Sequence, residues 1–344
     1  MENKVTLVGA IPSPMGGVST YMLRCVQFFG GRYYSEVLDP YPSEVKEKIL
    51  IKHKVPKFKG VYRWLWLALK VSISKNRVIH FNFSTTKSLY ILLLSFRLRR
   101  KWVVMLHNGD LQNNGLLSSL LFKLALAKVD KVLYISKEQK LFYSDNGIQN
   151  HKLFHLDSYL PPKLNEKNVP IPLEFISFRA KYNKVIFGNG YRTKLYNFDY
   201  LVKFAERNPT IGVVVLLYGS TYDVEIKELL EEVDLKLDNL LMLNSVSPSS
   251  FIKLLSCIDI YVRPNSVDSF GLACADSILL GKKVVASDVC ERFSGCTLFA
   301  SGNYSEFEGK VIQSIEDVKL EEGKFDMPTY IKDKKLQYSK AYGL

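Results

Sequence analysis

Apolar runs of strand length alternate with segments of helical period along almost the whole chain, and the alternation breaks only once. In the first half the strand candidates are residues 5–10, 77–83, 101–107 and 131–136. Between them lie VSTYMLRCVQFF, residues 58–75, KSLYILLLSFRL and LLSSLLFKLALAK, each with its apolar residues at helical spacing. Pro161, Pro162, Pro170 and Pro172 then fall close together and exclude regular helix. A second alternating set follows: KVIFGNG, FDYLVKFAE, IGVVVLLYGS, VEIKELLEEV, NLLMLNSV, SSFIKLLSC, DIYVRP and KKVVASD.

Strands separated by helices of this length predict parallel sheets covered on both faces, with the C-terminal strand ends lining the ligand crevice. The 344 residues suit two such domains. The expected divisions are a first domain over 1–158, a linker over 159–175 and a second domain over 176–328. The halves share an architecture but no detectable sequence repeat. On this reading His80, Asn82, His107 and Asn108 all fall at strand ends, and His107-Asn108-Gly109-Asp110 is the densest polar cluster there.

A hydrophobic fraction of 47% and a charged fraction of 24% describe a chain with a substantial core and exclude a disordered one. Cys25, Cys257, Cys274, Cys290 and Cys296 have spacings that fit neither a zinc site nor a disulfide framework, so a reducing, cytoplasmic setting is expected. The opening MENKVTLVGA passes directly into a strand with no apolar signal region. The longest apolar runs, such as 89–94 and 213–217, are well below a membrane span of about 20 residues. The expectation is a protein neither secreted nor integral, with peripheral attachment left open.

The charge is unevenly placed. Residues 44–101 carry 15 Lys and Arg against two acids, Glu44 and Glu47, and this excess equals the formal +13 of the entire chain. Such a segment suits an anionic partner: phospholipid headgroups, a lipid diphosphate or nucleic acid. Within it, Trp64, Leu65, Trp66 and Leu67 stand beside Lys57, Lys59, Arg63 and Lys70 on a predicted helix. Rings next to cations suit a membrane interface, and they equally suit a helix packed on the sheet with a solvated basic face.

One stretch of the second half, RPNSVDSFGLACADSILLGKKVVASD over 263–288, concentrates the remaining chemistry. Asp268 and Asp276 are eight positions apart, with Ser269-Phe270-Gly271-Leu272 between them. A helix opening near Gly271 would point its free N–H groups at the loop carrying Asp268, a suitable place for an anion or a row of hydroxyls. Asp276 would sit on the helix itself. The segment resembles the signature of retaining glycosyltransferases of the GT-B fold, family 4, in which two acids separated by seven residues flank a Gly-containing loop ahead of a small-residue helix. That family usually carries Glu at both ends, and this chain has Asp at both. Its fold is two Rossmann-like domains facing each other across a cleft, and the last stretch, 329–344, would then be a helix crossing back to the first domain.

The resemblance also implies roles. Asp268 would hold hydroxyls of the donor hexose, Asp276 the ribose, and the backbone N–H groups of Phe270, Gly271 and Leu272 the sugar and leaving phosphate. Arg192 and Lys194 in GNGYRTKLYNFD would neutralise the diphosphate, at a closer spacing than is usual in the family. Gly16 and Gly17, at a strand-to-helix turn, would let the backbone approach the donor, and His107 would act near the reducing carbon of the donor sugar as a neutral imidazole. The donor would be UDP- or GDP-linked, with no further cofactor. No Asp-x-Asp triad or other metal-ligand spacing is present, so no metal is expected.

No general base for an inverting displacement stands out, in agreement with the retaining, front-face mechanism usually proposed for that family. The leading expectation is hexose transfer to a glycan acceptor, a lipid-diphosphate-linked oligosaccharide in capsule or O-antigen assembly, at the inner face of a bacterial membrane. Two alternatives stand beside it: a nucleotide-sugar epimerase of the same fold, and a nucleic-acid-binding protein using the basic segment. Leu65, Leu67 and Leu69 argue for burial or lipid over nucleic acid.

Overall fold

The computed structural model describes residues 4–13, 15–42, 46–108, 111–112, 115–156, 158–163, 168–234, 236–317 and 327–344. Gly109, Asp110 and Glu44 lie outside them. The chain divides into two compact units, Met1–Leu160 with Asp326–Leu344, and Pro161–Phe325.

Unit 1 holds seven parallel strands: β1 (Val5–Val8), β2 (Tyr34–Leu38), β3 (Lys52–Lys54), β4 (Val78–Phe83), β5 (Lys101–Leu106), β6 (Lys131–Tyr134) and β7 (Leu153–His155), in the order β3-β2-β1-β4-β5-β6-β7. The helices are α1 (Gly17–Tyr33), α2 (Tyr62–Ile73), α3 (Ile91–Leu94), α4 (Leu116–Ala127) and α5 (Lys137–Asp145). Phe81, Trp102, Val104, Phe122 and Tyr143 are fully buried between sheet and helices. Such burial on both faces is why the central strands read as continuous apolar runs. Ser136 caps α5, its side chain accepting from Gln139 N at 3.3 Å.

Two expectations are corrected here. KSLYILLLSFRL does not form one helix: a 3-10 turn at Thr86–Tyr90 leads into the single turn of α3, and Leu98 and Arg99 take positive φ. A reversal in that conformation stops helix propagation. His80 is not at a strand end. It is the third residue of β4, fully buried, with Nδ1 2.8 Å from the Tyr342 hydroxyl.

Unit 2 is built the same way. Six parallel strands, β8 (Val185–Arg192), β9 (Gly212–Tyr222), β10 (Leu240–Asn244), β11 (Ile260–Arg263), β12 (Lys283–Ser287) and β13 (Thr297–Phe299), run in the order β10-β9-β8-β11-β12-β13. The helices are α6 (Leu173–Lys181), α7 (Phe198–Arg207), α8 (Val224–Asp234), α9 (Pro248–Cys257), α10 (Leu272–Leu279) and α11 (Tyr304–Glu316). The core is led by Ile186, Phe204, Val213, Val215, Val262, Val285 and Phe307.

The last helix, α12 (Met327–Tyr342), belongs to unit 1. Its Tyr338 hydroxyl lies 2.6 Å from that of Tyr21, and its Tyr342 hydroxyl 2.9 Å from that of Tyr34. Buried phenols that share hydroxyl protons in this way satisfy one another without water. Among the described residues no helix is long and apolar enough to cross a membrane.

Candidate functional site

Strand order locates the site within each unit. Connections from β8 lead to β9 on one side of the sheet while β11 pairs on the other, so the switch point of unit 2 lies between β8 and β11. Ligands of open parallel sheets sit outside the carboxyl ends of the strands at such a point. The turns after these strands are stitched together: Ser266 N donates to Leu195 O at 2.9 Å, and Asn197 Nδ2 to Pro264 O at 2.7 Å. Tyr196 packs flat against Gly190, where a Cβ would come within 1.9 Å of its ring, and stacks on Phe198 at 12°. Below it, Tyr261 donates to Asn189 Oδ1 at 2.6 Å.

Asp268 occupies this point, in the turn between β11 and α10. Its Oδ1 accepts from Arg263 Nη2 and from Ser269 N, both at 3.0 Å. Its Oδ2 accepts from Arg263 Nε and from Arg292 Nη1, the latter at 2.5 Å. A carboxylate offers about four acceptor sites, and four donors already reach Asp268. Burial opposes the charge of Asp268, and the Arg263 and Arg292 guanidiniums overcome it, holding the carboxyl well below its usual range. Arg292 is fixed in turn by Ser287, through Nε to its carbonyl at 3.0 Å and Nη2 to its hydroxyl at 3.2 Å. The 263–288 stretch contained Arg263 but gave no signal for Arg292, which returns from 24 residues beyond Asp268.

Gly271 stands at the N-terminal end of α10, where the helix was expected to open, with φ +79° and no side-chain cap. A Cβ there would lie 2.7 Å from Arg292 Nη1, so the turn needs glycine both for conformation and for the close approach of the guanidinium. Leu272 begins the helix and Phe270 precedes it, its ring 6.4 Å from that of Phe293. Asp276 lies in the middle of α10 and is only 1% exposed.

The two expected diphosphate cations have other partners. Arg192 donates to Gly219 O at 2.9 Å and to Asn244 Oδ1 at 2.7 Å. Lys194 is exposed, paired with Glu225 at 2.6 Å.

In unit 1 the switch point lies between β1 and β4. Gly9 follows β1 with φ +154°, and a Cβ there would meet Asn82 O at 2.7 Å. His107 follows β5, its backbone N donating to Phe83 O at 2.9 Å. Its Nε2 is 3.2 Å from Asn82 Oδ1, which can only accept, so this nitrogen carries the proton and Nδ1 the lone pair. Burial pushes the imidazole down to about 3, keeping it neutral, and Tyr21 packs on its ring at 4.6 Å. Gly16 precedes α1 in extended conformation and Gly17 is its first residue; among the described residues nothing lies within 4 Å of where a Cβ on Gly17 would be.

The basic segment divides in two. Lys46 pairs with buried Asp39 and Lys54 with Glu36, while Arg100 donates to the Val71 and Ser72 carbonyls. Lys48, Lys52, Lys57, Lys59, Lys75, Arg77, Lys87 and Arg99 are exposed. Trp64 and Trp66 turn inward and pack on the core, Trp64 against Phe83. The outer face of α2 instead presents Tyr62, Leu65, Leu69 and Ile73. Beside it stand Leu94, Leu98 and Phe96, the last 73% exposed, and α4 presents Leu116, Leu117, Leu120 and Leu124.

No protein-family model matches the sequence, and no curated protein sequence matches it significantly. Solved structures do. Anabaena HepE (Alr3699) in complex with UDP-glucose is similar over 98% of this chain and 95% of its own, at 13% identity and a TM-score of 0.70. Trehalose-6-phosphate synthase OtsA matches over 99% and 94% of the two chains, at 13% identity and a TM-score of 0.70. Sucrose-phosphate synthase from Thermosynechococcus elongatus matches over 99% and 94%, at 14% identity and a TM-score of 0.62. With parallel α/β sheets in both units and this likeness along nearly its full length, the chain has the two-domain, Rossmann-like GT-B fold.

Proposed function

We propose that the protein is a retaining glycosyltransferase of the family 4 type, moving a hexose from a UDP- or GDP-linked donor to a glycan acceptor. The observation that carries this reading is the GT-B fold over 98% of the chain, shared with a structure that binds UDP-glucose. A second support is local: unit 2 gathers a glycine-dependent helix start and two guanidiniums at its switch point, where charge on a leaving diphosphate would be stabilised.

In the reaction, the bond from the anomeric carbon to the donor's phosphate oxygen breaks and a bond to the acceptor oxygen forms on the same face. The acceptor's proton passes to the departing phosphate, so no protein general base is needed. Asp276 is proposed to bind the ribose, and His107 to exchange a hydrogen bond with a sugar hydroxyl through Nδ1. The Gly16-Gly17 turn is proposed as a backbone approach to the donor, with the first turn of α10 at Phe270, Gly271 and Leu272 serving the leaving phosphate.

The acceptor is proposed to be a lipid-diphosphate-linked oligosaccharide of bacterial capsule or O-antigen assembly, met by an enzyme resting on the inner face of the cell membrane. The support is the outer surface of α2, the 94–98 turn and α4, where exposed Leu and Phe are interspersed with exposed cations such as Lys57, Lys59 and Arg99. An apolar face rimmed by Lys and Arg fits an anionic bilayer.

Incubation with UDP- or GDP-hexose and a glycan acceptor, with the anomeric coupling of the product read by proton NMR, tests the reaction. A product with the donor's anomeric configuration is expected, and an inverted one contradicts retention. Donor isomerised or consumed equally fast without acceptor would place the protein with epimerases instead.

A further inference from the structure

The Arg263–Asp268–Arg292 group holds two guanidiniums against one carboxylate in a largely enclosed place. The side chains of Arg292, Asp268 and Arg263 are 2%, 8% and 12% exposed. Among the described residues Asp268 is the only carboxylate paired with either arginine. Within ion-pair distance two guanidiniums thus share one carboxylate, in a place where water is largely excluded and an unmatched cation is costly. An anionic ligand reaching these guanidiniums would complete the arrangement.

The two arginines are not equally available. Arg292 is the more enclosed, and its Nε, Nη1 and Nη2 all donate to Ser287, Asp268 or Phe270. Among the described residues Arg263 gives Nε and Nη2 to Asp268 and otherwise makes only a long 3.4 Å contact from Nη1 to the Tyr261 hydroxyl. With five N–H groups in all, it retains donors for a ligand. It also lies at the carboxyl end of β11, at the switch point, 6.0 Å from the Tyr196 ring in the neighbouring turn. Arg192 donates to neutral partners, Gly219 O and Asn244 Oδ1, with no carboxylate orienting its fork among the described residues, and Lys194 lies at the surface in an exposed pair with Glu225.

The structure assigns the binding of the donor's diphosphate to Arg263, with Asp268 and Arg292 as the positioning residues that fix its guanidinium. This rests on the reading of the protein as a nucleotide-sugar enzyme, and it changes the job of Asp268 from gripping the hexose to orienting a cation. An arginine fork held on one edge by a carboxylate is pre-set to meet a phosphate with its remaining N–H groups.

The test is calorimetric titration of the full chain with UDP and GDP, and with uridine and guanosine, for wild type, Arg263→Gln, Arg263→Lys, Arg192→Gln and Lys194→Ala. Arg263→Gln is expected to weaken the diphosphate by about tenfold or more while the matching nucleoside binds as before. Arg263→Lys, which keeps a point charge and loses the fork, should fall between, and decides the matter if the glutamine variant does not fold. Arg192→Gln and Lys194→Ala should each change diphosphate affinity by less than about threefold. Diphosphate affinity kept in both Arg263 variants, or lost in the same proportion as nucleoside affinity, overturns the assignment and leaves the glycosyltransferase reading standing. A wild type that binds neither UDP nor GDP removes that reading, and this inference with it.

Discussion

His80 Nδ1 lies 2.8 Å from the hydroxyl of Tyr342, which joins the middle of a central strand of unit 1 to the last turn of α12. The same hydroxyl reaches Tyr34, and Tyr338 one turn earlier meets Tyr21. The final helix thus completes the polar interior of unit 1. Replacing Tyr342 by Phe leaves a buried imidazole nitrogen without its partner and should cost about 1–3 kcal/mol. Urea unfolding followed by the tryptophans, all of which lie in unit 1, measures this; an unchanged midpoint would show that the contact contributes nothing.

Acid should weaken unit 1 through the same histidine. Burial, aided by the neighbouring His107, pushes His80 down to about 3 from an ordinary 6.5, and its buried Nε2 has no hydrogen-bond partner among the described residues. The folded value lies below the unfolded one, so the unfolded chain takes up the proton first as pH falls. Stability contributed by neutral His80 is complete above about pH 6.5 and is lost as pH falls toward about 3, at up to about 1.4 kcal/mol per unit. The difference in unfolding free energy between wild type and His80→Gln should change across this window; parallel curves would refute it.

Asp268→Asn should destabilise unit 2. It leaves two nearly enclosed guanidiniums facing each other without a counter-charge, a loss of about 3 kcal/mol or more. Replacing Arg292 as well should recover part of the loss, because the uncompensated charge goes with it. Differential scanning calorimetry of the single and double variants is the measurement, and strict additivity would contradict the coupling.

Much of the architecture was legible in the sequence, because strands buried on both faces must be apolar along their length and helices must repeat their apolar stripe. The short strands β2, β3 and β7 and helix α5 carried too little of either pattern; β3 is Lys-His-Lys at the edge of its sheet. At the site, the glycine at the start of α10 could be read directly. The clamp on Asp268 could not, since spacing does not reveal that β12 brings Arg292 back beside β11. The orientation of α2 was likewise undetermined: with apolar residues all around, sequence does not say that Trp64 and Trp66 go inward while Leu65 and Leu69 stay outside.

That outward face gives a further prediction. Leu65→Ser with Leu69→Ser and Phe96→Ser should leave thermal stability nearly unchanged, because the side chains are exposed, while sharply reducing co-sedimentation with vesicles containing anionic lipid. Undiminished sedimentation of the triple variant would exclude this face as the membrane contact.

The central claim is that this chain binds an activated sugar through its nucleotide. Thermal unfolding of the full chain in UDP, GDP, ADP and CDP, repeated on Asp276→Ala, examines it most directly. UDP or GDP is expected to stabilise the wild type, by about 2.7 kcal/mol at a hundredfold excess over Kd, and to lose that effect in the variant. A transition indifferent to all four nucleotides would contradict the account.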